Sequence, residues 1–253
     1  MPTPPAPAHA LRVLAFDTST EQLALGLQAS AGAFTRVAAG GARASATLLP
    51  QLRALLDRAE LQYADIDAIA FGRGPGAFTG LRTSCAVAQG LGFGLARPLL
   101  PIDSLLIVAE DARVQAGLDD GEVAVAMDAR MDEVYAGRYR WQAGRWQVLQ
   151  APALYTLAAL SEAWADLAGQ VLAGSALAAF GSRLALSTAG LRIECEDDRA
   201  AALLRLAVRA AQAGEGIDAA AALPLYLRDR VALTTREREA ARVAAGAGGV
   251  ARA

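Results

Sequence analysis

The stretch from residue 67 to residue 82 reads DAIAFGRGPGAFTGLR and decides the fold class of this chain. It begins with a short apolar run typical of a buried strand, and a glycine-rich turn follows. A helical repeat of apolar positions comes next, at Phe78, Leu81, Cys85, Ala88 and Leu91. A strand, a turn and a helix in this order predict helices packed on a sheet, which is the α/β class.

The residues before this stretch predict an antiparallel meander. A first strand over 13–16 (VLAF) ends at Asp17, and leucines alternate over 23–27 as a second strand. A third strand is predicted at 33–39 (AFTRVAA). Leucines at helical spacing then predict a helix over 45–60.

The second half repeats this plan of meander and helices without visible sequence repetition. We therefore predict an N-terminal lobe over 11–102, completed by a helix at 199–213, and a C-terminal lobe over 103–198. The folded unit is predicted to span about 11–235. Residues 1–10 form a disordered Pro/Ala tail, and 214–253 form a C-terminal segment that finishes in low-complexity sequence.

The composition removes much of the usual catalytic repertoire. All 24 basic residues are Arg, against 26 acidic ones, and the formal net charge is -2. Without Lys there is neither a P-loop lysine nor a Schiff base. The one His, His9, lies in the predicted tail, which argues against Ser/His/Asp, Cys/His and HExxH zinc chemistry. We predict no catalytic residue and no metal site.

The sequence also bears on cellular location. Two Cys without a CxxC pair are typical of a reducing compartment, so we expect a cytoplasmic protein. The longest uncharged apolar run, 84–96, is shorter than the roughly 18 residues of a spanning helix. The first residues lack the pattern of a signal peptide, and no membrane segment is expected.

Two turns carry residues suited to a phosphate. A carboxylate and hydroxyls after the first strand can face a nucleotide phosphate through Mg²⁺, and glycines before a helix let an anion approach the backbone. The competing interpretations are an ordinary hairpin turn and a turn whose helix is capped by Thr79. The candidate cofactor-binding residues are Asp17, Thr18, Ser19, Gly74 and Gly76.

The two helices at 45–60 and 78–96 have two interpretations. Their apolar stripes suit a core, while two adjacent Leu-rich helices could also leave an apolar surface for a partner. The second helix has a small-residue face that would permit close approach, at Gly80, Ser84, Ala88 and Gly92. The turn at 127–135 (MDARMDEVY) carries three carboxylates, suited to acid/base work or to a solvated turn.

Taken together, these segments resemble the bacterial TsaB (YeaZ) family of tRNA threonylcarbamoyladenosine biosynthesis proteins. The matching stretches occur in family order over about 13–231. They are LAFDTSTEQLALGL, LLPQLRALL, FGRGPGAFTGLRTSCAVAQGLGFGL, MDARMDEVYAGRY and LPLYLRDRV. The resemblance implies two ribonuclease H-like lobes in a degenerate member of the actin/Hsp70/sugar-kinase (ASKHA) fold.

The resemblance further implies a subunit that is not itself the catalyst. It would pair with TsaD, which transfers a threonylcarbamoyl group to the adenosine beside the anticodon in tRNAs that read ANN codons. The ATPase TsaE would join them, tRNA would be reached through the complex, and the chain alone would form a homodimer. No cofactor is expected to bind tightly. The resemblance leaves open whether ATP or ADP binds at the interface with TsaD. A TsaD-type subunit binds its metal through a His pair, which this chain lacks.

Family pairing uses the two helices of the N-terminal lobe, which map here to 45–60 and 78–96. On this basis, charges at Leu52 and Leu56 are expected to abolish the heterodimer while the monomer stays folded. One departure from the family is Ala44-Ser45-Ala46, where a His-Ser-Glu sequence often stands. The implied interface residues are Leu49, Leu52, Leu56, Phe78, Arg82, Cys85 and Gly92.

Two other classes of function compete with this one. The first is a nucleotide-hydrolysing or phosphotransferase enzyme that uses Asp17, although the C-terminal half shows no convincing second phosphate loop. The second is a tRNA-binding module, motivated by the many arginines. Most of these are interleaved with acids, and the only group is Arg228, Arg230, Arg236 and Arg238.

Overall fold

The computed structural model describes residues 10–167, 170–186 and 190–228. The first of two sheets has five strands in the order β3-β2-β1-β4-β5. Strands β1, β2 and β3 form the predicted antiparallel meander, and β4 and β5 run parallel to β1 on its other side. The strands are β1 Val13–Asp17, β2 Gln22–Ala29, β3 Gly32–Ala39, β4 Ala68–Gly74 and β5 Leu99–Asp103.

The second sheet has the same topology. Its order is β10-β9-β6-β7-β8, with the β6-β7-β8 meander antiparallel and β9 and β10 parallel to β6. The plan of the first sheet is thus repeated, as the sequence predicts. Its strands are β6 Gly121–Asp128, β7 Glu133–Gln142, β8 Arg145–Thr156, β9 Val171–Ala173 and β10 Arg192–Ile193.

Six helices cover the sheets in the described residues. They are α1 Ala44–Arg58, α2 Phe78–Leu95, α3 Ser104–Gln115, α4 Leu157–Ala163, α5 Ala176–Phe180 and α6 Arg199–Gln212. No helix in this part of the chain is long and apolar enough to span a bilayer.

The first sheet is buried on both faces, and the alternation of β1 explains how. Leu14 and Phe16 point into the core shared with α1 and α2, while Val13 and Ala15 point into the core shared with α6. Side chains alternate between faces along a strand, so one short apolar run serves two helix layers. Because α6 packs on β1 and β2, a segment near the end of the chain covers the sheet built by its beginning.

Several local expectations are corrected. The proline-containing strand β5 was not expected, but it lies at a sheet edge, where Pro101 removes no needed ladder donor. The segment 176–186 (ALAAFGSRLAL) predicts one helix, but α5 ends at Phe180, because Gly181 takes a positive φ. Thr79 does not cap α2, since the N-cap residue is Ala77 and it makes no side-chain cap. Residues 1–9 and 229–253, which include most of both predicted tails, lie outside the described residues.

Candidate functional site

A cleft of about 510 Å³ lies where turns from the two sheets meet. One side is formed by the β1–β2 turn, the loop before α2 and the first residues of α3. The other side is formed by the β6–β7 turn and by residues 174–175 and 194–196. Among the described residues, no three His, Cys, Asp or Glu side chains are grouped to hold a metal ion.

Asp17 ends β1 but does not face this cleft as a free carboxylate. It is buried, and its Oδ1 accepts a hydrogen bond from the Ser19 backbone N at 2.7 Å. Its Oδ2 accepts hydrogen bonds from Ser19 Oγ at 2.9 Å and from Arg199 Nε at 3.0 Å. Arg199 Nη2 donates to the same oxygen as well, so two N–H groups of the guanidinium converge on Oδ2. An internal guanidinium therefore stands where the Mg²⁺ interpretation needs open space, and a metal-bound nucleotide at Asp17 does not fit.

Arg199 is itself buried and holds two carboxylates at once. Its Nη1 donates to Glu196 Oε2 at 2.6 Å, in addition to the bonds to Asp17. Burial would lower the pKa of this guanidinium, but the charges of Glu196 and Asp17 outweigh it and raise the pKa. Arg199 thus remains charged and fixes the β1–β2 turn to the start of α6. No sequence motif indicates this partner, which lies 182 positions away from Asp17.

The glycine-rich loop has a mechanical function that the structure makes visible. Three glycines each pack against one residue at or next to the β1–β2 turn. A Cβ atom added to any of these glycines would overlap the residue that it packs against. Gly72 packs on Asp17, Gly76 on the Ser19 backbone and Gly80 on the Thr18 carbonyl oxygen. The Ala77 backbone N also donates to the Ser19 carbonyl at 2.8 Å. The motif therefore serves close packing of two loops.

Of the five residues predicted to bind a cofactor, Ser19 and Gly76 line the cleft. Thr18 is buried, and its Oγ1 donates to the Gly80 carbonyl at 2.6 Å. Gly74 is packed against Leu81 and has a φ of +113°. With Asp17 held by Arg199, the structure does not bring these residues together as a phosphate site.

The carboxylates of the β6–β7 turn are each engaged separately. Asp128 accepts a hydrogen bond from the Arg130 backbone N at 2.7 Å, and Asp132 pairs with Arg183 at 3.0 Å. Glu133 pairs with Arg228. The three acids therefore form no acid/base pair, and the structure supports the interpretation as a turn.

The Leu-rich stripe of α1 and the small-residue face of α2 are core. Leu52 and Leu56 are fully buried. Cys85 Sγ donates a hydrogen bond to the Ala222 carbonyl, and Gly92 packs on Leu99 and Ala219. These four residues cannot present a surface, which corrects the implied interface at Leu52, Leu56, Cys85 and Gly92. Charges at Leu52 and Leu56 would enter the core, so we now expect them to prevent folding instead of leaving a folded monomer.

A different part of this helix pair faces outward. Leu49 on α1 is 46% exposed, and Arg82 on α2 is exposed beside the half-buried Phe78. The Arg82 guanidinium lies 3.9 Å from the Phe78 ring centroid, and its Nε donates to Tyr226 Oη at 3.2 Å. The Phe78 and Tyr226 rings are 5.2 Å apart. We call Phe78, Arg82 and Tyr226 the α2 aromatic cluster. Tyr226 lies in the LPLYLRDRV stretch but is not among the interface residues that the resemblance implies.

Two sheets of equal topology with a cleft between them define a two-lobed actin-like α/β protein. A protein-family model described as TsaD: tRNA N6-adenosine threonylcarbamoyltransferase matches residues 40–252. The chain is 30% identical over 229 residues to the tRNA threonylcarbamoyladenosine biosynthesis protein TsaB of Escherichia coli K12, covering 88% of this chain and 96% of that protein. The chain belongs to this family and, within it, to the TsaB/YeaZ proteins.

Solved structures agree with the assignment. YeaZ from Pseudomonas aeruginosa is 38% identical with a TM-score of 0.77, covering 86% of this chain and all (100%) of that one. A second Pseudomonas aeruginosa structure, described as similar to peptidase YEAZ, is 39% identical with a TM-score of 0.78, covering 87% of this chain and 100% of that one. The family resemblance and the two-lobed actin-like fold are thereby confirmed.

Proposed function

We propose that this chain takes part in the biosynthesis of threonylcarbamoyladenosine in tRNA as a non-catalytic subunit. Its TsaB relatives carry that pathway in their names. In this proposal it supports a TsaD-type subunit, which performs the transfer, and a TsaE-type ATPase joins them. The tRNA is reached through the complex, and the chain alone forms a homodimer.

The observation that carries the non-catalytic assignment is the buried pair of Asp17 and Arg199. In the alternative function, Asp17 would hold the metal of a nucleotide, as a phosphotransferase or ATPase requires. Both of its carboxylate oxygens already accept hydrogen bonds from within the chain. Any ATP or ADP bound by the complex is therefore expected at the joint interface and not at Asp17.

The α2 aromatic cluster supports the proposed partner surface. Aromatic and arginine side chains dominate the binding energy of many interfaces, and here an arginine is stacked and oriented in advance. Leu49 on α1 adds an exposed apolar side chain. Farther along α2, a Cβ at Gly90 or Gly94 would meet nothing within 4 Å, so a partner backbone could approach closely there. The proposed interface is therefore Leu49, Phe78, Arg82 and Tyr226.

Coexpression with the TsaD-type and TsaE-type subunits of the same organism tests this proposal. Arg82→Glu reverses a charge in the cluster. It should lower the affinity for the TsaD-type subunit by about 30-fold, as expected of an interface hot spot, and reduce coelution on size exclusion. Arg145→Glu is the matched control, because Arg145 is an exposed arginine on β8. The threonylcarbamoyladenosine content of tRNA should fall with the first variant and not with the second.

Three results would contradict the proposal. Wild-type coelution of the Arg82→Glu chain would place the partner elsewhere. Full modification of tRNA without this chain would remove the supporting function. Robust ATP turnover by the isolated chain, lost on Asp17→Asn, would favour the enzyme that the alternative describes.

A further inference from the structure

Helix α3 begins in the cleft without the side-chain cap that its sequence offers. Its N-cap residue is Asp103, a residue type that commonly accepts hydrogen bonds from the first turn. Here the Asp103 carboxylate is taken by Arg73, and no capping hydrogen bond forms. Ser104 and Leu105, the first two residues of α3, line the cleft. The first-turn amides and the positive end of the helix dipole are therefore directed to this cleft.

A second observation concerns the Ser104 hydroxyl. Ser104 is 2% exposed, and its Oγ has no hydrogen-bond partner among the described residues. Burying a hydroxyl without a partner costs free energy, so such groups are rare unless a ligand or water completes them. This hydroxyl sits at the same helix terminus as the uncapped amides. The two sets of donors, one from the backbone and one from a side chain, are suited to an oxyanion.

The charges around the cleft restrict which oxyanion fits. Of its acidic lining residues, Asp128 is satisfied by Arg130 and Glu196 by Arg199. Two more acids, Glu21 and Glu194, line the cleft and form no ion pair within the described residues. Like charges repel, so this rim disfavours a polyphosphate and tolerates a ligand with a single negative charge.

We propose that the cleft binds a small carboxylic acid whose carboxylate sits at the N-terminus of α3. The carboxylate accepts hydrogen bonds from Ser104 Oγ and from the first-turn amides of α3. The remainder of the ligand carries no second negative charge, and an ammonium group would complement Glu21 and Glu194. This site is independent of the proposed partner surface on α2.

An NMR titration of the ¹⁵N-labelled full chain tests the site directly. Acetate and glycine are the carboxylate probes, and inorganic triphosphate is the polyanion, all at constant ionic strength. Acetate should shift the amide signals of Ser104 and Leu105 saturably, and glycine should bind more tightly than acetate. The first turn of α4 is the internal control, because Thr156 already caps it and none of its residues lines the cleft.

Two variants separate binding from structure. Ser104→Ala should weaken acetate binding by about tenfold, the loss expected for a hydrogen bond to a charged group, without lowering the melting temperature of the unliganded chain. Ser84→Ala is the matched control, because Ser84 is also buried with an unpartnered hydroxyl but does not line the cleft. It should titrate as the wild type does.

The outcomes decide the proposal in either direction. Saturable shifts at Ser104 and Leu105 that weaken in Ser104→Ala alone would support it. Unshifted amides at these two residues, or unchanged affinity in Ser104→Ala, would overturn it. Tighter binding of triphosphate than of glycine would overturn the assignment to a carboxylic acid.

Discussion

At the scale of single residues, the glycine-rich motif shows how a sequence signal and its physical cause can differ. Glycines after a strand are typical of phosphate loops, and the sequence alone left that interpretation open beside a simple turn. In the structure, Gly72, Gly76 and Gly80 lie against Asp17, Ser19 and Thr18. Two loops some 60 positions apart touch there, as the Thr18–Gly80 bond across 62 positions shows. Local sequence patterns carry no information on such a distant contact, so the residues could be predicted but not their function.

Two glycines of α2 give a prediction at this scale. Gly80→Ala should lower the free energy of unfolding by about 2 kcal/mol, because its methyl group would overlap the Thr18 carbonyl and force the two loops apart. Gly90→Ala is the control on the same helix, where a Cβ meets nothing within 4 Å. It should raise stability by about 1 kcal/mol through helix propensity. Urea unfolding followed by circular dichroism measures both, and equal effects would refute the close packing.

At the scale of helices and strands, the spacing of apolar residues predicts where the helices lie better than it predicts which helix face is buried. The helices at 45–60 and 78–96 were predicted close to α1 and α2, because their apolar repeats are long and regular. The edge strand β5 is not predicted from the sequence, because prolines normally interrupt a sheet. The Leu stripe was predicted as core or as interface, and only the position of the sheet beneath α1 decides between them.

The outer and inner faces of α1 can be separated by two neighbouring leucines. Leu52→Asp should cost about 4 kcal/mol or more and prevent folding, because it places an unpaired carboxylate in a fully buried site. Leu49→Asp should change stability by no more than about 0.5 kcal/mol, because the side chain is 46% exposed. Thermal melts of the two variants give the comparison. A stable Leu52→Asp protein would show that Leu52 does not lie in the core.

At the scale of the whole molecule, helix α3 joins the two sheets. It contacts β5 and α6 of the first sheet and β6 and β9 of the second. Glu110 lies on this helix, fully buried, and Trp146 of β8 donates to its Oε2 at 3.0 Å. Arg205 of α6 donates to its Oε1 at 2.7 Å, and Arg113 of α3 binds both oxygens. The sequence SLLIVAEDAR predicts the helix but not this connection, because its partners come from three separate segments.

The environment of Glu110 makes the stability of the molecule depend on pH. Burial alone would raise the pKa of this carboxyl group. The hydrogen bonds from Arg113, Arg205 and Trp146 and the charge of Arg209 outweigh burial and lower the pKa to about 2. The folded chain therefore binds fewer protons at this group than the unfolded chain. The resulting stabilisation, of about 3 kcal/mol, is present above pH 5 and is lost as the pH falls from about 5 to 2.

Glu110→Gln tests this connection while it keeps the shape of the side chain. At pH 7 the variant should be less stable than the wild type by about 3 kcal/mol, because three arginines lose their shared counter-charge. The difference should shrink as the pH falls toward 2, since the wild-type carboxylate is then protonated as well. Glu162→Gln, at an exposed position of α4, is the control and should leave the pH profile unchanged. Urea unfolding at a series of pH values measures the profile, and parallel curves for wild type and Glu110→Gln would show that Glu110 does not couple the two sheets through its charge.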